Sequence, residues 1–300
     1  NEKLMKGWAI PDSSVHVIRG LKDETGTLGL KSGKAVEGRP LAMGLKPGGK
    51  TPRVETLFGR GWRSRYGESS PMGENNSGLL KEQIALGTAD ALRPYPFSPV
   101  ALQKAFGLSE QHYNMPNFRS SIVSQLNESW GPGSGDALSL ALQEAARREF
   151  DLPGKSFLSS DRNYLTRVYD REELQKAQTA VNRPHVMESL RSFLRAQYTR
   201  TQALLKAQGL KEVTLYRGYR QKYPGEVQAN VKGSGRGSPN LNPLSSWTSD
   251  LRTAMDFAGQ HGKVYRSEVS ASSILSTAET GMGSASEFEA VVLRSPRPKA

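Results

Sequence analysis

Three regimes of hydrophobic patterning divide the chain. Residues 1–76 show no sustained period. Stretches such as LKSGKAVEGRPLAMGLKPGGKTPR and FGRGWRSRYGESSPMGENNSG are rich in Gly, Lys, Arg and Pro, which favours loops and at most short strands, residues 16–19 among them. From 77 to 208 the apolar positions recur at helical spacing. Ser98 before Pro99 is an N-cap signal with proline at the first helical position, and Gly107 stops that helix. Asp136 opens ALSLALQEAARREF, in which Leu138, Leu142 and Ala145 share a stripe. The longest helix starts at Pro184, carries Val186, Leu190, Leu194 and Tyr198 on one face and stops at Gly209.

After Gly209 the period drops to two. KEVTLYRGY alternates Val213 and Leu215 with Thr214 and Tyr216, and delivers Arg217 beside Gly218. A glycine-rich loop, VKGSGRGSPNLNP, separates it from a second strand, LSSWTS. SDLRTAMDFAGQHG reads as a helix of about ten residues capped by Ser249 or Asp250, KVYRSEVS as a third strand and EFEAVVLR as a fourth. A helical half followed by a strand-rich half predicts an α+β fold. Residues 1–76 form a loosely structured or accessory segment. Residues 77–300 form one domain, with a helical lead-in over 77–208 and the functional strands over 210–294.

Charge changes the picture next. The 300 residues hold 41 Lys+Arg against 29 Asp+Glu, a formal net charge of +12, which favours anionic partners: nucleic acid, acidic proteins or phosphorylated small molecules. Solubility alone explains such a balance equally well. The cluster Arg60, Trp62, Arg63, Arg65 and Tyr66 could stack on and neutralise RNA; a loose arm packed on the body is the plainer reading. The chain has no cysteine, which excludes disulfides, thiolate zinc sites and a cysteine nucleophile. The four histidines, His16, His112, His185 and His261, are too scattered to predict a metal site. No apolar run approaches the ~18 residues of a membrane span. A chain that opens on Asn fits a processed or excised piece of a longer one.

The last strand carries the sharpest chemical signal. In GMGSASEFEAVVL, a period of two puts Glu287 and Glu289 on one face, opposite Phe288, Ala290 and Val292. Like charges so close repel, so the pair calls for a reason. Ordinary roles exist for each feature alone: a surface charge at Arg217, a helix cap at Ser246 to Ser249, a solvated edge strand at the glutamates.

Taken in order, Tyr216-Arg217-Gly218, Ser246-Trp247-Thr248-Ser249 and Glu287-Phe288-Glu289, each on the element type expected, resemble the mono-ADP-ribosyltransferases of the Arg-Ser-Glu class, the enzymatic subunits of clostridial binary toxins among them. The resemblance covers about residues 210–294. It implies a mixed β-sandwich core with an NAD cleft and NAD as substrate, without a metal. It implies that Arg217 holds an NAD phosphate, that Gly218 lets the main chain approach the nicotinamide amide, that Ser246 orients the catalytic glutamate and that Thr248 braces the strand. Phe257 would pack on the nicotinamide ring, Glu289 would be the catalytic carboxylate, and Glu287 would serve an arginine acceptor. The chemistry agrees: cleaving the ribose–nicotinamide bond develops positive charge on the sugar, which a fixed carboxylate stabilises. A guanidinium acceptor keeps its proton stubbornly and needs a second carboxylate.

Two positions depart from that family pattern. The loop over residues 270–286, expected to read the target, carries no aromatic residue, and Met282 is the only sizeable side chain near its tip. Gln260 and His261 stand where a basic residue follows the stacking Phe, leaving Arg236 or Arg252 to supply that charge. The leading expectation is a toxin or effector that modifies arginine on a target protein, with RNA or DNA as the alternative acceptor. A non-catalytic nucleic-acid-binding protein is the alternative outside enzymology. The toxin reading implies action in a cytoplasm, after delivery as a secreted effector or release from a larger polypeptide. It leaves room for an immunity or antitoxin protein.

Overall fold

The computed structural model describes residues 15–18, 74–130, 135–153, 156–159, 169–219, 242–259, 262–284 and 287–294. Strand β1 (Val15–Ile18) is followed by helices α1 (Glu74–Ala91), α2 (Pro99–Phe106), α3 (Phe118–Glu128), α4 (Ala137–Glu149), α5 (Arg171–Val181) and α6 (Pro184–Ala207). The second half interleaves β2 (Glu212–Tyr219), β3 (Leu244–Thr248), α7 (Leu251–Ala258), β4 (Lys263–Ser270), β5 (Ile274–Thr277) and β6 (Glu289–Leu293). The chain is therefore α+β, as its pattern predicts.

Capping explains most helix starts. Ser98 Oγ accepts from Ala101 N–H at 3.2 Å, and Asp136 Oδ1 accepts from Ser139 N–H at 2.7 Å, each satisfying a donor that the first turn leaves open. Of the two expected caps for α7, Asp250 takes the role, its Oδ2 accepting from Thr253 N–H at 3.0 Å. Gly107 ends α2 in the left-handed region at φ 75°. Helix α1 runs straight across the expected boundary at residue 76. Helix α3 has no clean apolar stripe because Ser120, Ser121 and Ser124 are buried among Ile122, Val123 and Leu126.

Helices α1 to α6 enclose one apolar core, to which Leu102, Leu140, Leu142, Leu190 and Phe193 belong, and Leu244, Leu275, Val291 and Leu293 extend it onto β3, β5 and β6. Each such side chain stabilises the fold by roughly 2 kcal/mol. The helical lead-in is thus packed onto the functional strands. Gln143 of α4 adds a polar clamp: its Oε1 accepts from Leu244 N–H at 2.7 Å and its Nε2 donates to Leu244 C=O at 3.3 Å.

The strands form one sheet in the order β1-β4-β2-β3-β6-β5, antiparallel at every pairing. Pairing is continuous along β2 and β4, and along β3 and β6, but β2 meets β3 only at Tyr216↔Thr248. Two three-stranded halves therefore share a narrow join. They also share a second core, in which Val213, Leu215, Tyr265 and Val269 of one half meet Trp247, Ile274, Ala290 and Val292 of the other. The expected mixed sandwich is corrected: the described strands belong to a single antiparallel sheet, pinched at its centre. The loop expected over 270–286 is corrected too, since it holds a 3₁₀ turn (Ala271–Ser273) and strand β5.

Candidate active site

Strand alternation builds the first contact at the join. On β3, Trp247 turns into the second core, which sends Ser246 and Thr248 to the opposite face. Thr248 lies across from Glu289 and Ser246 across from Val291, so Ser246 and Glu289 are diagonal neighbours on that face. Ser246 Oγ donates a hydrogen bond to Glu289 Oε1. The other carboxylate oxygen, Oε2, accepts from the backbone N–H of Ser284 at 2.7 Å. The Ser284 carbonyl in turn accepts from the N–H groups of Glu289 (3.1 Å) and Glu287 (3.3 Å).

Glu289 is only 6% exposed. Burial pushes its pKa up to about 7, against the opposing hydrogen bonds from Ser246 and Ser284 and the Arg217 charge, while nearby Glu287 adds to the rise. A carboxyl group poised at neutrality in this way is a common property of catalytic sites.

Arg217 approaches from the other half of the sheet. Were the β2–β3 pairing to continue past Tyr216↔Thr248, Gly218 would lie opposite Ser246. Instead the Arg217 guanidinium enters the gap, and its Nη1 donates to the Ser246 carbonyl at 2.9 Å. Desolvation pulls its pKa below the ordinary arginine value, opposed by Tyr219, Glu289 and Tyr265; the group stays cationic. No carboxylate forms an ion pair with it among the described residues. Among the described residues one carbonyl engages one of its five N–H donors, and the guanidinium is a planar fork suited to an oxyanion.

Gly218 has a packing reason of its own. A methyl group there would stand 2.0 Å from the Ala254 carbonyl oxygen and 2.8 Å from Phe257 Cβ, so only glycine lets α7 lie on β2. Phe257 itself is 49% exposed, an unusual place for a phenylalanine with its root against the strand. Thr248 Oγ1 donates to the Glu287 carbonyl at 2.6 Å and accepts from Asp250 N–H at 3.0 Å, tying β3, the start of α7 and the glutamate segment together.

The two-glutamate face needs correction. Glu287 does not lie on a strand: β6 begins at Glu289, and Phe288 sits at φ 49°, a left-handed conformation costly for a bulky residue. Glu287 is therefore brought near Glu289 by a turn, which the Phe288 carbonyl joins to Ser249 N–H at 3.1 Å. Glu287 is half-buried, and desolvation raises its pKa.

The expected target-reading loop is also corrected. Met282 is 0% exposed and belongs to the helical core, and Thr277, Ala278 and Thr280 are buried as well. Arg236, Gln260 and His261 lie outside the described residues, as do Arg60, Trp62, Arg63, Arg65 and Tyr66. Arg252 stands on the exposed side of α7. Ser284, whose N–H binds Glu289 Oε2, is the residue at this cluster that the sequence does not single out. It makes that contact through its main chain, so its side chain gives no signal; its one clue is its place in a small-residue run that admits a tight backbone approach.

Among the described residues no cluster of His, Asp and Glu could hold a metal ion, and no helix is long and apolar enough to cross a membrane. A cavity of about 310 Å³ between α2 and α5, lined by Ala105, Lys176 and Arg183 among others, shares no residue with the site. No protein-family model, curated protein or solved structure matches the chain.

Proposed function

We propose that this protein is an NAD-dependent mono-ADP-ribosyltransferase that modifies arginine on a target protein. The observation that carries the reading is the contact between Ser246 and Glu289 with Arg217 bound to the same Ser246. Residues from three strands, 72 positions apart at the extremes, meet at the one point where the sheet is pinched. Loose surface charges have no reason to converge there.

Each residue then has a task that its surroundings suit. The desolvated Arg217 fork takes a phosphate of NAD. Phe257, half-exposed on α7 with its Cβ against Gly218 of the same strand as Arg217, offers a face for the nicotinamide ring. The bond between ribose and nicotinamide breaks with its electron pair leaving on nicotinamide, and the Glu289 carboxylate stabilises the positive sugar. Ser246 and the Ser284 N–H fix both oxygens of that carboxylate before the reaction, so little reorganisation is needed. The acceptor nitrogen then bonds to the ribose carbon and gives up a proton. Glu287, raised by desolvation, is the nearby group able to take it. A nucleic-acid acceptor is the second reading, favoured by the net charge of +12.

Incubation with labelled NAD and cell lysate, followed by separate protease and ribonuclease digestion, tests both. Label released by protease alone supports the protein acceptor, and label released by ribonuclease supports RNA. Absence of any NAD turnover removes the enzymatic reading and leaves a binding protein. Glu287→Gln is expected to spare NAD hydrolysis and to reduce transfer to protein about tenfold or more.

A further inference from the structure

Polar side chains of α6 reach the site through the segment that joins β5 to β6. Gln197 is fully buried. Its Nε2 donates to Asn127 Oδ1 at 2.6 Å and to Thr88 Oγ1 at 3.3 Å, and its Oε1 accepts from Ser276 Oγ at 3.1 Å. Arg200 Nη1 donates to the carbonyls of Ile84 (2.9 Å) and Thr280 (3.0 Å), and Thr201 Oγ1 meets Thr280 Oγ1 at 2.7 Å. The Thr280 hydroxyl in turn accepts from Thr277 N–H at 2.9 Å. Two glycines make room: a Cβ at Gly281 would stand 2.0 Å from the Gln197 amide, and one at Gly87 would stand 2.7 Å from the Arg200 guanidinium.

A purely structural contact between α6 and this segment would be cheaper in leucines, because burying amide, hydroxyl and guanidinium groups costs desolvation that the hydrogen bonds only offset. What a satisfied polar network provides is one geometry instead of several. The segment it fixes ends at Gly283, where a Cβ would lie 3.2 Å from the Glu289 carbonyl oxygen, and the next residue is Ser284, whose N–H binds Glu289 Oε2.

From these contacts we infer that Gln197, Arg200 and Thr201 are positioning residues, which hold the Thr277–Gly283 segment so that the Ser284 N–H is aimed at the Glu289 carboxylate. They touch neither substrate nor reacting atoms. The inference rests on Glu289 being the catalytic carboxylate. The groups that face that carboxylate are Ser246, the Ser284 N–H, Arg217 and Glu287.

The test compares Gln197→Leu, Gly281→Ala and Thr201→Val with the wild type, with Thr201→Ser as the variant that keeps the hydroxyl. Leu174→Ala, in the helical core on α5, controls for loss of stability alone. Two quantities are measured on the full chain: kcat and KM for NAD cleavage, and the pH midpoint of the Glu289 carboxyl by ¹³C NMR, assigned by its disappearance in Glu289→Gln. Gln197→Leu and Gly281→Ala are expected to lower kcat about tenfold or more at little changed KM. The Glu289 midpoint is expected to rise by about one unit, because an N–H that favours the charged form is withdrawn. Thr201→Val moves both in the same direction by less, Thr201→Ser restores both, and Leu174→Ala leaves both in place while lowering Tm.

A midpoint that stays put in the folded variants overturns the inference, as does a kcat loss no larger than that of Leu174→Ala. Should the two stronger variants fail to fold, the Thr201 pair decides. Should the wild type not turn over NAD, the functional reading falls and the midpoint alone decides the positioning role.

Discussion

Two buried carboxylates, one in the helical bundle and one at the sheet join, face the same solvent exclusion with opposite results. Glu144 on α4 has a side chain 0% exposed. Burial pushes its pKa up, but hydrogen bonds from Arg147, Arg148 and the Phe157 N–H overcome that and leave it below the ordinary carboxylate value. Arg147 binds through both Nε (3.1 Å) and Nη2 (2.9 Å), and Arg148 adds Nε at 2.8 Å. Glu289 has a hydroxyl, one backbone N–H and an arginine that bonds to a neighbouring carbonyl instead, and burial wins. Partner supply, more than depth, separates a carboxylate held charged by its neighbours from one held near its neutral point.

The sharpest way to break that contrast is to neutralise each group. Glu289→Gln is expected to lower NAD cleavage by about 10³-fold in kcat, as read by nicotinamide release. The same change should stabilise the protein at pH 8. Glu289 has its folded pKa raised to about 7 from an ordinary 4.5, so its penalty is absent below about 4.5, grows as pH rises and is complete above 7. The gain is expected to approach about 3 kcal/mol at pH 8 and to vanish near pH 4, measured by thermal unfolding across that range. Equal Tm values at both pH extremes would contradict the assigned environment. By the same titration, NAD cleavage by the wild type should climb with pH through about 7 as the carboxylate forms.

Glu144→Gln should behave in the reverse sense, costing about 3 kcal/mol because the buried side chain loses its charge-assisted hydrogen bonds to the partly exposed Arg147 and Arg148. Activity per folded molecule should hold. A carboxylate whose pKa is lowered contributes stability above the ordinary 4.5 and loses it as pH falls through its folded value, so the cost should shrink in acid. Next in size, Gly218→Ala is expected to cost about 2 kcal/mol by pushing α7 off β2, visible as a lower urea midpoint together with a raised KM for NAD. Smallest is Phe257→Ala, expected to leave stability within about 0.5 kcal/mol while raising KM about fivefold, the worth of a ring contact. An unchanged KM would remove Phe257 from the site.

The legible parts of this molecule are those fixed by near neighbours. The caps at Ser98 and Asp136, the strand ending in Arg217-Gly218 and the strand bearing Ser246 follow from local spacing, and so does the order of the Arg, Ser and Glu motifs. What stayed hidden depends on distant partners. Nothing in Phe288 announces a left-handed backbone, because a phenylalanine adopts one only when its surroundings over-determine it. The segment before Glu287 looked like a free loop because its residues are small. Their smallness is what admits the Gln197 amide at Gly281 and buries Met282 among the helices. Ser284 is invisible in sequence for a plainer reason: any residue has an N–H.

The pinch at Tyr216↔Thr248 changes what holds the two halves of the sheet together. A continuous ladder ties two strands through many hydrogen bonds at once, whereas here one pair does so and the apolar core that Val213, Leu215, Trp247 and Val292 share across the join supplies the rest of the cohesion. The cation of Arg217 bridges the opening on one side of that pair, and any anion it takes up would draw on both halves at once. The middle of this sheet, ordinarily closed by its ladder, is closed here by packing and by a cation.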